Sequence, residues 1–179
     1  MPRVLFLSNG HGEDTVGATI AFELKRLLGE NPLPEVALSA MPIVGFGQPY
    51  EAKGIEIVGP RREMPSGGFI YLSAENLQAD FRVGLLKLIR AQIKFLRNYR
   101  ENIDLVVGVG DKVILGIDAY LLKRPMVFVG MADSSHYTGG ARPAFSPWQR
   151  RVMRRFCVGT FVRDEMTAAS LRAHGVPDA

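Results

Sequence analysis

Six short apolar runs alternate with segments of helical period along the 179-residue chain, and this alternation constrains the fold more than any single motif. The runs are RVLFLS (3–8), EVALSAM (35–41), IEIVG (55–59), DLVVGVG (104–110), PMVFVGM (125–131) and CVGTFV (157–162). Runs this short and this apolar read as strands buried on both faces. Helices are expected between them. One spans about Thr15 to Leu28, with Val16, Ile20, Leu24 and Leu27 as its apolar stripe and Gly29 after its last turn. Others are expected within 75–101 and near 112–123, 147–156 and 164–174. Strand–helix alternation implies a parallel sheet covered by helices on both sides, so the fold class is α/β, a Rossmann-like doubly wound parallel sheet. Residues 1–179 fit a single domain able to bury roughly 70% of its unfolded surface. The sequence has no internal repeat and no low-complexity segment.

Composition narrows the setting. Cys157 is the single cysteine and sits in an apolar run, which reads as a buried thiol in a reducing compartment. The first apolar run is too short for a signal-peptide core or a membrane span, so a cytoplasmic location is expected. The net charge of +4 is unevenly placed. Between Asp133 and Asp164 there is no acid, while Arg142, Arg150, Arg151, Arg154, Arg155 and Arg163 fall there, which suggests a local anionic partner.

In a doubly wound sheet, ligands bind beyond the carboxyl ends of the strands. The first such loop lies in SNGHGEDTVGA, residues 8–18. The spacing of Gly10, Gly12 and Gly17 is neither the dinucleotide fingerprint nor a P-loop. Glu13 and Asp14 stand where a phosphate would sit and already satisfy the helix dipole, so the loop suits hydroxyls better than a diphosphate. Gly10, Gly12 and Asp14 are therefore candidate substrate-binding residues, with His11 a titratable group in the same turn. Asp14 or Thr15 also reads simply as a helix N-cap. No acid suited to a ribose follows the second strand, which disfavours a nicotinamide cofactor.

A second loop, MADSSHYTGGARPAFS (131–146), is too long for a plain connection. Asp133, Ser134, Ser135, His136 and Tyr137 could bind sugar hydroxyls there, together with Arg142, and Gly139-Gly140 reads as a hinge. Neither serine lies in a Gly-x-Ser-x-Gly elbow, so a Ser/His/Asp hydrolase fits poorly. The three histidines are far apart in sequence and no metal site is expected.

The stretch GEDTVGATIAFELKRL resembles the first loop and helix of the lipid-A-disaccharide synthases, with their Ser-Gly-Asp-x-x-Gly-Ala pattern. Asp14, Gly17 and Ala18 match, and Glu13 replaces the glycine. LLKLIRAQIKFLRNYRENIDLVVGVGD resembles the family's basic, apolar helix feeding a strand that ends in Gly-Ile-Asp. Gly108 fits, and the acid arrives one position later, as Asp111. Similar spacing continues through Trp148 and VRDEMTAASLRAHGVP, over nearly the whole chain. The fit is to a divergent, related branch of this bacterial family rather than to the synthase itself.

The resemblance implies the amino-terminal, acceptor-binding half of a GT-B glycosyltransferase. A second Rossmann-like domain, absent from this chain, would hold a nucleotide-sugar donor, a UDP-sugar, and this half would bind no cofactor and be inactive alone. An inverting transfer needs a base for the acceptor hydroxyl. Asp111 is the first candidate, since partial burial past an apolar strand would raise its pKa. It also reads as an N-cap ahead of Lys112-Val113-Ile114. Glu13 and His11 are the reserves.

A helix over 82–100 carries Lys87, Arg90, Lys94 and Arg97 beside Leu86, Ile89, Ile93 and Leu96. Before it, SGGFIYLS offers Phe69, Ile70, Tyr71 and Leu72 as an apolar loop. A basic face beside an apolar loop suits an anionic membrane, as a lipid-linked acceptor would require, and places the protein peripherally on the inner face. Motifs for nucleic acid are lacking. A non-catalytic membrane-surface or regulatory module, or another Rossmann-like nucleotide-using enzyme, are the alternatives.

Overall fold

A computed structural model describes residues 1–31, 33–62, 84–131, 133–138 and 143–176. Strands β1 (Arg3–Ser8), β2 (Ala37–Pro42), β3 (Glu56–Ile57), β4 (Leu105–Gly110), β5 (Met126–Gly130) and β6 (Cys157–Phe161) form one sheet in the order β3-β2-β1-β4-β5-β6. Every pairing is parallel. The chain builds outward from β1 through β2 to β3, then returns to the other side of β1 and builds outward again. The sheet is therefore an α/β, Rossmann-like doubly wound one, and its strand order reverses between β1 and β4.

Helices α1 (His11–Glu30), α2 (Gln48–Ala52), α3 (Leu85–Tyr99), α4 (Lys112–Ile117), α5 (Pro147–Phe156) and α6 (Glu165–Ala173) complete the described elements, with α4 running on through a wider turn over Asp118–Leu122. Alternate residues of β1 divide the core. Val4 and Phe6 pack with Ala18, Ala21 and Tyr50 on the α1 side, whereas Leu5 and Leu7 pack with Leu96, Ile114 and Val152 on the α3, α4 and α5 side. This is the two-sided burial that the unbroken apolar runs require.

Two helical stripes differ from the sequence expectation. Helix α1 starts four residues earlier, at His11; Val16, Ile20 and Leu24 pack against the core as expected, but the fully buried positions are Asp14, Gly17, Ala18 and Ala21, and Leu27 is 46% exposed. Small side chains win because the helix lies close to the sheet. On α3 the buried positions are Leu85, Leu88, Gln92 and Leu96, one residue off the expected stripe, and Leu86 and Ile89 remain exposed. Gln92 enters the core because its amide donates to the carbonyls of Ile43 (2.9 Å) and Pro60 (3.3 Å).

Asp118 is the costly residue of the core. It is fully buried, its Oδ1 accepts from the Arg124 amide at 3.3 Å, and its Oδ2 has no hydrogen-bond partner. Burial raises its pKa to about 6. The folded state thus keeps a proton that the unfolded state releases near pH 4, so stability falls as pH rises from about 4 to about 6. Asp118→Asn is expected to stabilise the protein at pH 7.5 by about 1–3 kcal/mol and to gain nothing below pH 4. Urea unfolding at the two pH values checks this; an equal effect at both would show that ionisation is not the cause.

Candidate site at the strand-order reversal

The crevice between the carboxyl ends of β1 and β4 is built from Asn9–Gly12 and Gly110–Val113. Gly110 adopts φ +148°, and a Cβ there would overlap Asn9 Oδ1. Glycine lets Asn9 lie across the end of β4, where its Nδ2 donates to Asp111 Oδ1 at 2.9 Å. The same oxygen accepts from the Val113 amide at 2.8 Å, so Asp111 does cap α4. The cap employs Oδ1 and leaves Oδ2 as the oxygen that can take a proton. Gly108 brings α4 tightly onto the sheet, since a Cβ there would lie 2.5 Å from Ile114 Cγ2.

Asp133 follows β5, the next strand, and is half-buried. Burial holds its carboxyl above the ordinary range and the charge of Asp111 adds to this, while a hydrogen bond from Gln149 Nε2 (3.3 Å) opposes it. Asp133 thus senses the charge of Asp111 at the neighbouring strand end. Such pairs divide acid from base work.

The opening loop is rearranged relative to the expectation. His11, Gly12, Glu13 and Asp14 belong to the first turn of α1, not to a loop, and Gly10 is its uncapped N-terminal flank. Glu13 turns back over Gly10, whose Cβ, if present, would lie 2.5 Å from Glu13 Oε2. That carboxylate occupies the helix N-terminus a diphosphate would need. Gly12 is exposed with open space beside it. His11 is exposed and faces Gly45, Phe46 and Gln48.

Asp14 is not a substrate contact. It is fully buried, accepting from Ser8 Oγ at 2.6 Å, and Ser8 Oγ lies 3.0 Å from the hydroxyl of the buried Tyr50. Burial raises its pKa to about 6, with the Ser8 hydrogen bond and then His11 offsetting part of the shift. Ser134 and Ser135 are corrected likewise. Ser134 Oγ donates to Asp164 Oδ2 (2.6 Å), and the Ser135 amide donates to Thr167 Oγ1 (2.7 Å), so both are buried in a latch between this loop and α6. Ser135 Oγ also accepts from the Ala144 amide, which ties the loop's two ends together. His136 and Tyr137 stay exposed, with the Arg163 guanidinium 5.6 Å from the Tyr137 ring centre.

Lys87, Arg90 and Lys94 are exposed on α3. Phe69, Ile70, Tyr71, Leu72, Gly139, Gly140 and Arg142 lie outside the described residues. Asn9, Tyr50 and Gln149 are the participants that sequence reasoning missed; only Asn9, directly after a strand, carried a positional signal. Among the described residues no group of three or more His, Cys, Asp or Glu could hold a metal ion, and no helix is long and apolar enough to cross a membrane.

No protein-family model matches the chain. No curated protein matches it either. Among solved structures, it is similar to a Listeria monocytogenes protein provisionally named a UDP-N-acetylglucosamine 2-epimerase, with a TM-score of 0.55 and 13% identity. The match covers 97% of this chain and 42% of the other, so the chain spans less than half the length of that structure. The likeness carries the fold alone, a Rossmann-like doubly wound sheet, and does not single out the lipid-A-disaccharide synthases.

Proposed function

We propose that the chain is the acceptor-binding domain of a GT-B-like enzyme that uses a nucleotide sugar, glycosylating the hydroxyl of a lipid-linked acceptor at an anionic membrane surface. Asp111 takes the hydroxyl proton through Oδ2 while Asn9 and the Val113 amide fix its orientation, and Asp133 serves as the neighbouring acid. The observation that carries this reading is the pairing of Asp111 and Asp133 at adjacent strand ends beside the strand-order reversal. The helix terminus that would otherwise cradle the donor's diphosphate is covered by Glu13. The donor is therefore assigned to a second domain, and the acceptor to this one.

A second reading, isomerisation of the nucleotide sugar itself, is favoured by the name of the structural neighbour and by the same carboxylate pair. Calorimetry of the 179-residue chain with UDP-sugars separates the two. The acceptor reading expects binding weaker than about 1 mM, and stoichiometric binding at about 1 μM or tighter would overturn it. Incorporation of deuterium from solvent into the sugar would then establish isomerisation.

A further inference from the structure

An apolar cleft of about 390 Å³ lies between α3 and the helix that Asp111 caps. Leu88, Ile93, Val113, Ile117 and Leu121 are among its walls, and no charged side chain lines it. Its two polar side chains are already engaged. The Gln92 amide donates to backbone carbonyls, and the Tyr120 hydroxyl accepts from Trp148 Nε1 at 3.0 Å. A ligand here is offered apolar surface and nothing to orient a polar group. One end, at Val113, is two residues from Asp111; the other, at Tyr120, lies roughly 10 Å further along the helix.

The Tyr120 end has the chemistry of a membrane interface. Tyr120 and Trp148 stack with ring centres 6.2 Å apart and are 67% and 38% exposed. Lys123, Arg151 and Arg155 line the adjoining depression with them, and no acid does. Exposed Leu86, Lys87, Arg90 and Lys94 lie along α3, and Ile89, 38% exposed, is both on that surface and among the walls of the cleft. Aromatic rings among cations, beside exposed apolar side chains, suit an anionic headgroup layer.

We infer that this cleft holds one alkyl chain of the lipid-linked acceptor, with the sugar at the Val113 end beside Asp111 and the chain leaving at Tyr120–Trp148 toward an anionic bilayer. The inference rests on the acceptor reading above and names where the lipid half of that acceptor sits.

Trp148 is the sole tryptophan and touches two residues that line the cleft, stacking on Tyr120 and lying 3.8 Å from where a Gly116 Cβ would stand, so its emission is the probe for changes at the cleft wall. Titration with hexyl, octyl and decyl glucosides, each below its micelle-forming concentration, is expected to change that emission saturably. Affinity should tighten about fourfold per added methylene while the cleft fills. Gly116→Leu, which adds bulk at a residue lining the cleft and suits a helix better than glycine, is expected to weaken decyl glucoside at least tenfold. Gly116→Ala should weaken it less, and it serves if the leucine variant fails to fold. Chain-length-independent binding, or unaltered binding by a folded Gly116 variant, would overturn the inference. The titration needs no turnover, so its failure leaves the chemistry of Asp111 standing. Retained chain-length-dependent glucoside binding together with stoichiometric binding of a UDP-sugar at about 1 μM or tighter would instead remove the acceptor reading and leave the cleft as an apolar-ligand site.

Discussion

On the acceptor reading proposed above, replacing Asp111 by Asn is expected to lower turnover by about 10²–10⁴-fold while leaving acceptor affinity within a few-fold. The variant isolates one role from another. An Asn side chain keeps an oxygen for the Val113 amide and for Asn9 Nδ2, the two bonds that Asp111 Oδ1 now accepts, and Asn is as good an N-cap as Asp. Helix α4 therefore keeps its start. What disappears is the second carboxylate oxygen, which has to accept the hydroxyl proton as the nucleophile forms. Asp111→Ala makes the complementary comparison, losing the cap as well at a further cost to stability of about 1 kcal/mol. Steady-state kinetics and urea unfolding of both variants provide the check. Full turnover in the Asn variant would transfer the base role to Glu13 or His11, both in the first turn of α1.

The parts of the fold legible in the sequence are those where one side of a balance dominates. RVLFLS at 3–8 has no polar alternation, and nothing but a strand covered on both faces accommodates it; β1 has those bounds. Asp111 before Lys112-Val113-Ile114 reads equally as cap and as base, and the structure shows the cap, made through Oδ1 alone. Asp14 was misread because its destination is set from elsewhere in the chain. Tyr50 arrives from a short helix 36 residues downstream and closes over Ser8 and Asp14, and a single sequence does not display such a meeting. Ser134 and Ser135 were misread for the same reason: Asp164 and Thr167, their partners, belong to another helix. The stripe of α3 shifts by one residue because a glutamine, polar by type, is buried by two carbonyls that the sequence leaves unplaced.

Gly17 illustrates how the matched Asp-x-x-Gly-Ala pattern acquires a physical reason, and its replacement should have the largest effect on stability. A Cβ at position 17 would overlap the Tyr50 hydroxyl, lie 3.0 Å from Tyr50 Cζ and 3.5 Å from Val109 Cγ2. Tyr50 is fully buried and cannot swing into solvent, and displacing its ring would break the contact with Ser8 Oγ that adjoins the buried Asp14 carboxyl. Gly17→Ala combines overpacking, costing about 1–3 kcal/mol, with a disturbed buried polar group, costing about as much again. The better helix propensity of alanine returns only about 1 kcal/mol. A net loss of about 3 kcal/mol is expected, read as a lower urea midpoint with an unchanged denaturant slope. Tyr50→Phe removes the atom that clashes, so the double variant should lose at least about 1 kcal/mol less than the sum of the two single losses in a double-mutant cycle. Additive losses would mean that Gly17 is required by its helix rather than by Tyr50, and that the Ser8–Asp14–Tyr50 cluster does not set the distance between α1 and the sheet.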